Sequence, residues 1–376
     1  MKIQVKANEL AKKLQRALGV IPAKPTIPVL AYVKLETTSA TTATLSALDL
    51  GMAIIQTISV ALVSTELGTI LLPARVLSQL LAPLPSDAVV TIENQDKTIV
   101  VKSGKLLKEA KLPGMDVALF PAIDPRPATT ANFNSAAFKK VIGRAEFAAP
   151  TKQGRSTVPS VLLESTAAYL RGVATDGARV AVADVKGAGA GELSIQLPKS
   201  FLAVLKEITG EVIQFSQSEN NLFFATESET MFVRVPTTKF PPYQKVLAFA
   251  DYVSEFDIAV PSFKTSLDII AVTADSKAPA VVVTATAEEL NLASSSAADG
   301  MTDSAVDIKL QGPANKARVN LSFVNEFLGQ CEGSVKVQMS NPTSPVRITS
   351  GDDYQYFIMP MLEQAPATEE KKKSKG

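Results

Sequence analysis

The sequence predicts an α+β fold made of three copies of one module, each with two helices and about eight antiparallel strands. An amphipathic helix recurs from Asn8, Asn134 and Pro261, starts that lie roughly 125 residues apart. About 65 residues after each start a second helix follows, entered through Leu72-Pro73-Ala74-Arg75, Leu197-Pro198-Lys199-Ser200 and Leu321-Ser322-Phe323. A β-rich hairpin comes next in every copy, and each copy closes on proline, at Phe120-Pro121, Phe240-Pro241 and Met359-Pro360. The modules are expected at residues 1–126, 127–250 and 251–362, with a polar tail over 363–376 too poor in apolar residues to fold.

The helix pattern is clearest in the second copy. Asn134 and Ser135 are capping residues, Phe138, Val141, Ile142 and Ala145 share a face, and Lys139, Lys140 and Arg144 lie opposite. In the first copy Leu10, Leu14, Ala17, Leu18 and Ile21 point inward and Lys12, Lys13 and Arg16 outward. The third copy offers only Lys264 on that side.

Along the chain, Ile3 and Val5 alternate as in a strand, and Lys24-Pro25-Thr26-Ile27-Pro28 is a proline-fixed turn. Strands over 29–63 and 67–72 precede a helix expected from Pro73 to Leu84. Its apolar positions Val76, Leu77, Leu80, Leu81 and Leu84 cover more than one face, which predicts burial on two sides. Further strands are expected near 158–164, 169–175, 179–186, 280–287, 289–293, 305–310 and 354–359. Gly187-Ala188-Gly189-Ala190-Gly191 joins two strands and opens no helix, so it is a connector and not a phosphate loop.

Composition narrows the chemistry. There is no histidine and one cysteine, Cys331, which removes imidazole catalysis, histidine-ligated zinc, thiolate clusters and internal disulfides. No catalytic, cofactor-binding or metal-binding residue stands out, and a non-catalytic protein of the reducing cytoplasm, off the membrane, is expected. The 38 basic and 37 acidic residues nearly cancel, so any cationic surface must be local. A lysine face on one helix is ordinarily a solvated face; the repetition of Lys12, Lys13 and Arg16 in Lys139, Lys140 and Arg144 is what suggests a shared lining.

Such a lining has a size requirement. With about 9 Å between axes, six helices side by side leave a hole under about 10 Å, too tight for a duplex. Twelve leave roughly 24 Å, enough to admit DNA, so a closed dimer of pseudo-sixfold symmetry is the expectation.

Five stretches carry a family resemblance: Lys24-Pro25-Thr26-Ile27-Pro28-Val29-Leu30, Leu72-Pro73-Ala74-Arg75, Ala174-Thr175-Asp176-Gly177-Ala178-Arg179-Val180-Ala181, Phe240-Pro241-Pro242-Tyr243 and Met359-Pro360-Met361. Taken singly, the Asp-Gly stretch is a hairpin turn and the prolines are module ends. Together, in order and on a threefold repeat, they resemble the β subunit of bacterial replicative DNA polymerase, the sliding clamp, over residues 1 to about 362.

The resemblance implies three DNA-clamp domains forming half of a closed ring, a homodimer around sequence-independent duplex DNA, and a processivity role with no catalysis and no cofactor. Its partners would be the polymerase catalytic subunit, the clamp loader and other proteins that carry clamp-binding peptides. The peptide pocket it implies comprises Thr175, Gly177, Arg179, Val180, Pro241 and Val246, with Met359, Pro360 and Met361, and by looser alignment Val158 and Leu362. DNA contacts map to Lys24, Lys152, Gln153 and Arg155, with the helix residues Lys12, Lys13, Arg16, Lys139, Lys140, Arg144 and Lys199 as weaker contacts. The dimer would join Val76, Leu80 and Leu84 to Ala271 and Val272. Ala178 stands where many members have histidine, which bears on peptide preference. A β-rich structural or surface scaffold with no nucleic-acid role is the rival expectation, and a carboxylate hydrolase a third.

Overall fold

The alternation of Ile3 and Val5 does produce a strand, Lys2–Lys6, and it hands over directly to helix α1, Ala7–Leu18. The computed structural model describes residues 1–63, 66–152, 154, 158–276, 278–296 and 298–361. Among them the remaining helices are α2 (Ala74–Leu81), α3 (Ser135–Ala145), α4 (Lys199–Leu205), α5 (Gln244–Leu247), α6 (Val260–Ala271) and α7 (Leu321–Leu328). The α+β class and the modular repeat are both present.

The repeat extends to individual hydrogen bonds. Strand Lys2–Lys6 runs into α1, Ala131–Asn134 into α3 and Ser254–Ala259 into α6. In each case the first residues of the helix borrow an acceptor from the end of a neighbouring loop: Ala7 N donates to Ala88 O, Ser135 N to Glu211 O and Val260 N to Gly333 O, at 2.8 to 2.9 Å. Those donors would otherwise be orphaned at the helix start. Asn134 adds a side-chain cap, its Oδ1 accepting from Ala137 N at 3.0 Å. The second helices repeat likewise, Lys199 N donating to Pro159 O and Leu321 N to Pro279 O.

By contact, the chain divides into two compact units, one comprising Met1–Gly143, Pro159–Leu170 and Val185–Lys239 and the other Arg144–Val158, Arg171–Asp184 and Phe240–Gly376. The first unit holds a five-stranded sheet in the order Ala61–Leu62, Lys2–Lys6, Val89–Gln95, Thr98–Ser103, Leu107–Pro113. It also holds an eight-stranded sheet running from Ala131–Asn134 through Val212–Gln217, Asn221–Ala225, Glu229–Arg234, Met52–Ser59, Thr42–Leu48 and Tyr32–Thr37 to Thr69–Pro73. The middle of that sheet joins strands from two repeats, Val233 facing Met52 and Glu229 facing Gln56 in antiparallel register. Helix α1 packs on it through Leu10, Leu14 and Ala17, all fully buried. Phe138, Phe201, Phe215 and Phe224 pack beneath α3 and α4 with neighbouring ring centroids 5.3 to 5.8 Å apart.

In the second unit, Arg179–Lys186 pairs with Tyr354–Ile358, which continues through Val346–Thr349 and Ser334–Met339 to Ser254–Ala259. A four-stranded sheet in the order Gly300–Asp307, Glu289–Ser296, Ala280–Ala285, Asn315–Asn320 carries α6 and α7. Phe327 of α7 stacks on Tyr356, centroids 4.7 Å apart, with Tyr354 on its other neighbour position at 4.8 Å.

Several boundaries move. Helix α2 ends at Leu81, short of the expected Leu84, because a stretch with two prolines, Pro83 and Pro85, follows it. Its surplus apolar face is real: Leu77 and Leu81 are buried, Val76 is exposed and Leu80 is half-buried. The strand expected near 305–310 begins instead at Gly300, since its polar start (MTDS) pairs by backbone with Glu289–Ser296. The connector Gly187–Gly191 needs glycine for space as well as for bending: a Cβ at Gly189 would collide with the Thr166 carbonyl.

Arg16 is the main surprise of the first unit. Its Nη2 lies 2.9 Å from both carboxylate oxygens of Glu229, and its Nη1 donates to Val204 O at 2.8 Å. Glu229 is almost wholly buried, so removing the guanidinium would strand a charge. Arg16→Ala is expected to lower unfolding stability by about 3 kcal/mol, checked by urea titration against wild type. The double replacement Arg16→Met with Glu229→Met should recover most of that loss.

Candidate functional site

The Asp-Gly stretch builds the most ordered polar cluster of the second unit. The strand Tyr169–Thr175 turns through Asp176, Gly177 and Ala178 into Arg179–Lys186. Gly177 takes φ +93, a conformation that L side chains rarely adopt. Asp176 Oδ1 accepts from Ala178 N at 3.0 Å and Arg179 N at 3.1 Å, an Asx turn. From beneath, Thr175 Oγ1 donates to Arg179 O at 2.7 Å and accepts from Gly177 N at 3.1 Å.

Arg179 locks the turn in place. Only 7% exposed, it donates from Nε to Asp176 Oδ2 at 2.8 Å, from Nη1 to Glu326 Oε2 at 2.8 Å and from Nη2 to Phe147 O at 3.0 Å. Its guanidinium also lies 4.1 Å from the centre of the Phe323 ring. Burial alone would lower its pKa, but the Tyr356, Glu326 and Asp176 side chains around it outweigh that and raise it, so the cation is permanent.

The carboxy-terminal strand supplies the next part. Met359 N donates to Ala178 O at 2.8 Å, which extends the pairing of Tyr354–Ile358 with Arg179–Lys186 by one residue, and Met361 N donates to Arg318 O at 2.7 Å. Met359 is exposed, and Pro360 and Met361 are half-buried. Pro241 and Val246, both half-buried, belong to the segment Phe240 to Leu247, where the Tyr243 ring is buried and hydrogen-bonds Arg171. Arg171 is fixed in turn by a bidentate pair with Asp184, both contacts 2.7 Å. Thus Thr175, Gly177, Arg179 and Met359 are joined by direct hydrogen bonds or chain neighbours. Thr175, Arg179 and Val180 are buried and hold the shape; Gly177 and Met359 form its surface. Val158 is half-buried, and Leu362 lies outside the described residues.

The expected DNA contacts divide in the same way. Lys12, Lys24, Lys140 and Lys152 are exposed, and Lys13, Lys139 and Lys199 are half-buried. Arg16, as shown above, serves an internal ion pair. Arg144 is half-buried, its Nη1 3.4 Å from Asp353 Oδ2 and its guanidinium 4.9 Å from the Tyr354 ring centre, and its carbonyl accepts from Tyr354 Oη at 2.7 Å. A helix-face pattern cannot show that each of these arginines has a carboxylate from far along the chain beside it. Gln153 and Arg155 lie outside the described residues. Of the expected dimer residues, Val76 and Ala271 are exposed, Val272 is 77% exposed, and Leu80 and Leu84 are half-buried.

Among the described residues no group of three or more histidine, cysteine, aspartate or glutamate side chains is placed to hold a metal ion, and no helix is long and apolar enough to cross a membrane.

The chain is thus an α+β protein of repeated modules, antiparallel sheets covered by helices with the same helix-entry hydrogen bonds. Residues 1–124 match the family described as DNA polymerase III beta subunit, N-terminal domain. The chain is 25% identical to the beta sliding clamp of Proteus mirabilis and 24% identical to that of Escherichia coli K12, in both cases over 96% of this chain and 100% of the relative. In fold it is similar to the DNA polymerase III subunit beta of Pseudomonas aeruginosa, with a TM-score of 0.89 and 22% identity over 96% of this chain and all of that one. It is also similar to the sliding clamp of Bacillus subtilis, with a TM-score of 0.88 and 21% identity over 97% of this chain and all of that one. The resemblance to the bacterial DNA polymerase III beta subunit, read from five motifs, therefore holds along the chain.

Two expectations follow from the cluster. Thr175→Val leaves a buried amide and carbonyl without the hydroxyl that serves both, at a cost of about 2 kcal/mol, measurable by urea unfolding. Burial pushes the Cys331 thiol up to about 11. The folded state therefore keeps the proton as pH rises, and stability from this group is present below the unfolded thiol pKa and lost as pH climbs through the folded one. At pH 8.5, alkylation by iodoacetamide should be at least about tenfold slower in the native protein than in urea, a gap expected from the smaller thiolate fraction.

Proposed function

We propose that this protein is a DNA polymerase processivity factor: a homodimeric ring that encircles duplex DNA, slides along it and tethers the replicative polymerase. The single observation that carries this reading is the likeness to proteins named beta sliding clamps, which spans 96% of this chain and all of each relative, on a clamp fold. The ring would consist of three modules per chain, at 1–126, 127–250 and 251–362. It performs no chemistry; attachment comes from threading, so a nearly neutral protein suffices. Lys12, Lys13, Lys139 and Lys140, with Lys24 and Lys152 on loops and Lys199 on α4, supply the positive lining.

Closure would use surfaces that a single chain leaves uncovered. Val76 and Leu80 on α2 would meet Ala271 and Val272 at the end of α6 of a second copy. The edge strands Leu107–Pro113 and Gly300–Asp307 would pair across the same junction, which removes two open sheet edges. Because the two faces differ, the contact is head to tail, and closure after two copies gives a ring.

Partners would dock short peptides on the Gly177 turn, with Met359 and Met361 as adaptable thioether walls beside Pro241 and Val246. The polymerase catalytic subunit, the clamp loader and other replication or repair proteins would share it, in the cytoplasm. A Pseudomonas aeruginosa relative has been solved bound to griselimycin.

Sedimentation should give the mass of two chains at micromolar concentration, and Val272→Asp should shift it to one. Clamps loaded on circular DNA should survive high salt and fall off once the circle is cut; equal loss from intact circles would contradict threading. Deleting 359–362 should abolish polymerase and loader binding in pull-downs while sedimentation still reports a dimer.

A further inference from the structure

The turn that shapes the Gly177 site has a twin in the first unit. Strand Thr42–Leu48 turns through Asp49, Leu50 and Gly51 into Met52–Ser59. Asp49 Oδ1 accepts from Gly51 N at 2.6 Å and Met52 N at 2.7 Å, the pattern Asp176 makes with Ala178 and Arg179. Arg234 N donates to Gly51 O at 2.8 Å, as Met359 N does to Ala178 O. The strand registers agree: Val233 faces Met52 where Ile358 faces Arg179. Arg234, Val235 and Pro236 thus occupy the places of Met359, Pro360 and Met361. Thr26-Ile27-Pro28 repeats Thr157-Val158-Pro159, and Phe120-Pro121 repeats Phe240-Pro241.

These counterparts enclose a cavity of about 690 Å³ whose lining includes Ile27, Leu50, Met52, Pro121, Phe232 and Pro236. That volume falls in the range of small-ligand and peptide-anchor pockets. Leu50, 66% exposed, is a large apolar side chain at its rim. Asn221, only 3% exposed, also lines it. Its Nδ2 donates to Asp124 Oδ2 at 2.9 Å, which fixes the orientation of the amide, and its buried Oδ1 has no hydrogen-bond partner. Asp49, Asp124 and Glu219 outnumber Arg234 around the cavity, so its field favours a cation.

We propose that this cavity is a second binding site for linear peptides, distinct from the Gly177 site. It takes an apolar anchor between Leu50 and Phe232 and prefers a lysine or arginine beside the anchor. The ligand class rests in part on the peptide role proposed for the Gly177 turn; the cavity and the charge stand independently. With arginine and valine where the other site has methionine and proline, the two sites would select different sequences.

The test selects a phage-displayed random dodecapeptide library on the full-length chain. Enriched peptides are then titrated by fluorescence polarisation against wild type, Leu50→Asp, Glu219→Lys and Met359→Asp. Leu50 and Glu219 are both exposed, so neither change disturbs the core. The expected result is a class of peptides with an apolar pair next to lysine or arginine. Their affinity should fall at least tenfold in Leu50→Asp, fall in Glu219→Lys and stay unchanged in Met359→Asp. If every enriched peptide binds Leu50→Asp as it binds wild type, or if none is enriched, the second site is overturned. Enrichment of the Leu50-dependent class without any Met359-dependent class would instead sink the Gly177 pocket and leave this site standing.

Discussion

The antiparallel pairing of Met52–Ser59 with Glu229–Arg234 is the constraint on which the first unit depends. It is made of backbone hydrogen bonds, so it needs little from side chains beyond an alternation that buries one face. Through it the strands of two repeats become one eight-stranded sheet, and neither repeat keeps an open edge at that line. A slip of one residue would exchange buried Met231 and Val233 for their outward neighbours. It would also move Arg234 N away from Gly51 O, so the same register that closes the sheet places the cavity above the Asp49 turn.

Charged residues are used here chiefly to fasten backbone elements. Arg16 ties a helix to the pairing line through Glu229, Arg144 ties another to Asp353 and Tyr354, and Arg179 clamps its turn to α7 through Glu326. Each is a planar, multidentate donor where lysine would give a single point contact. Lys12 and Lys140 of the same helix faces are exposed. Sorting the two cations by burial thus separates structural roles from the proposed DNA lining more sharply than their positions on a helical wheel do.

The repeat explains why one turn design appears twice with different surroundings. Asp176 and Asp49 each bind two successive amides of their own turn, and each turn accepts an amide from the strand that follows in the neighbouring pairing. The hydrogen-bond pattern is shared, whereas the central backbone differs, Gly177 taking φ +93 and Leu50 staying out of the left-handed region, and the side chains have diverged: Gly177 against Leu50, Arg179 against Met52, Met359 against Arg234. A common hydrogen-bonded frame thus carries two different side-chain linings.

The order and type of the elements, the repeat length, the caps at Asn134 and the clamp resemblance were determined by the sequence alone, because they rest on local periodicity, turn chemistry and motifs that survive in one dimension. The strand that begins at Gly300 was not legible, since its polar residues pair by backbone with a neighbour and leave no hydrophobic alternation. Nor could the sequence show that Arg16 and Arg144 pair with Glu229 and Asp353, that Arg179 is buried beneath its turn, or that Asn221 lines a cavity. Those facts depend on which residues distant in the chain become neighbours, and pairing across some two hundred positions is decided by sheet register and core packing. Only the tertiary structure contains that information.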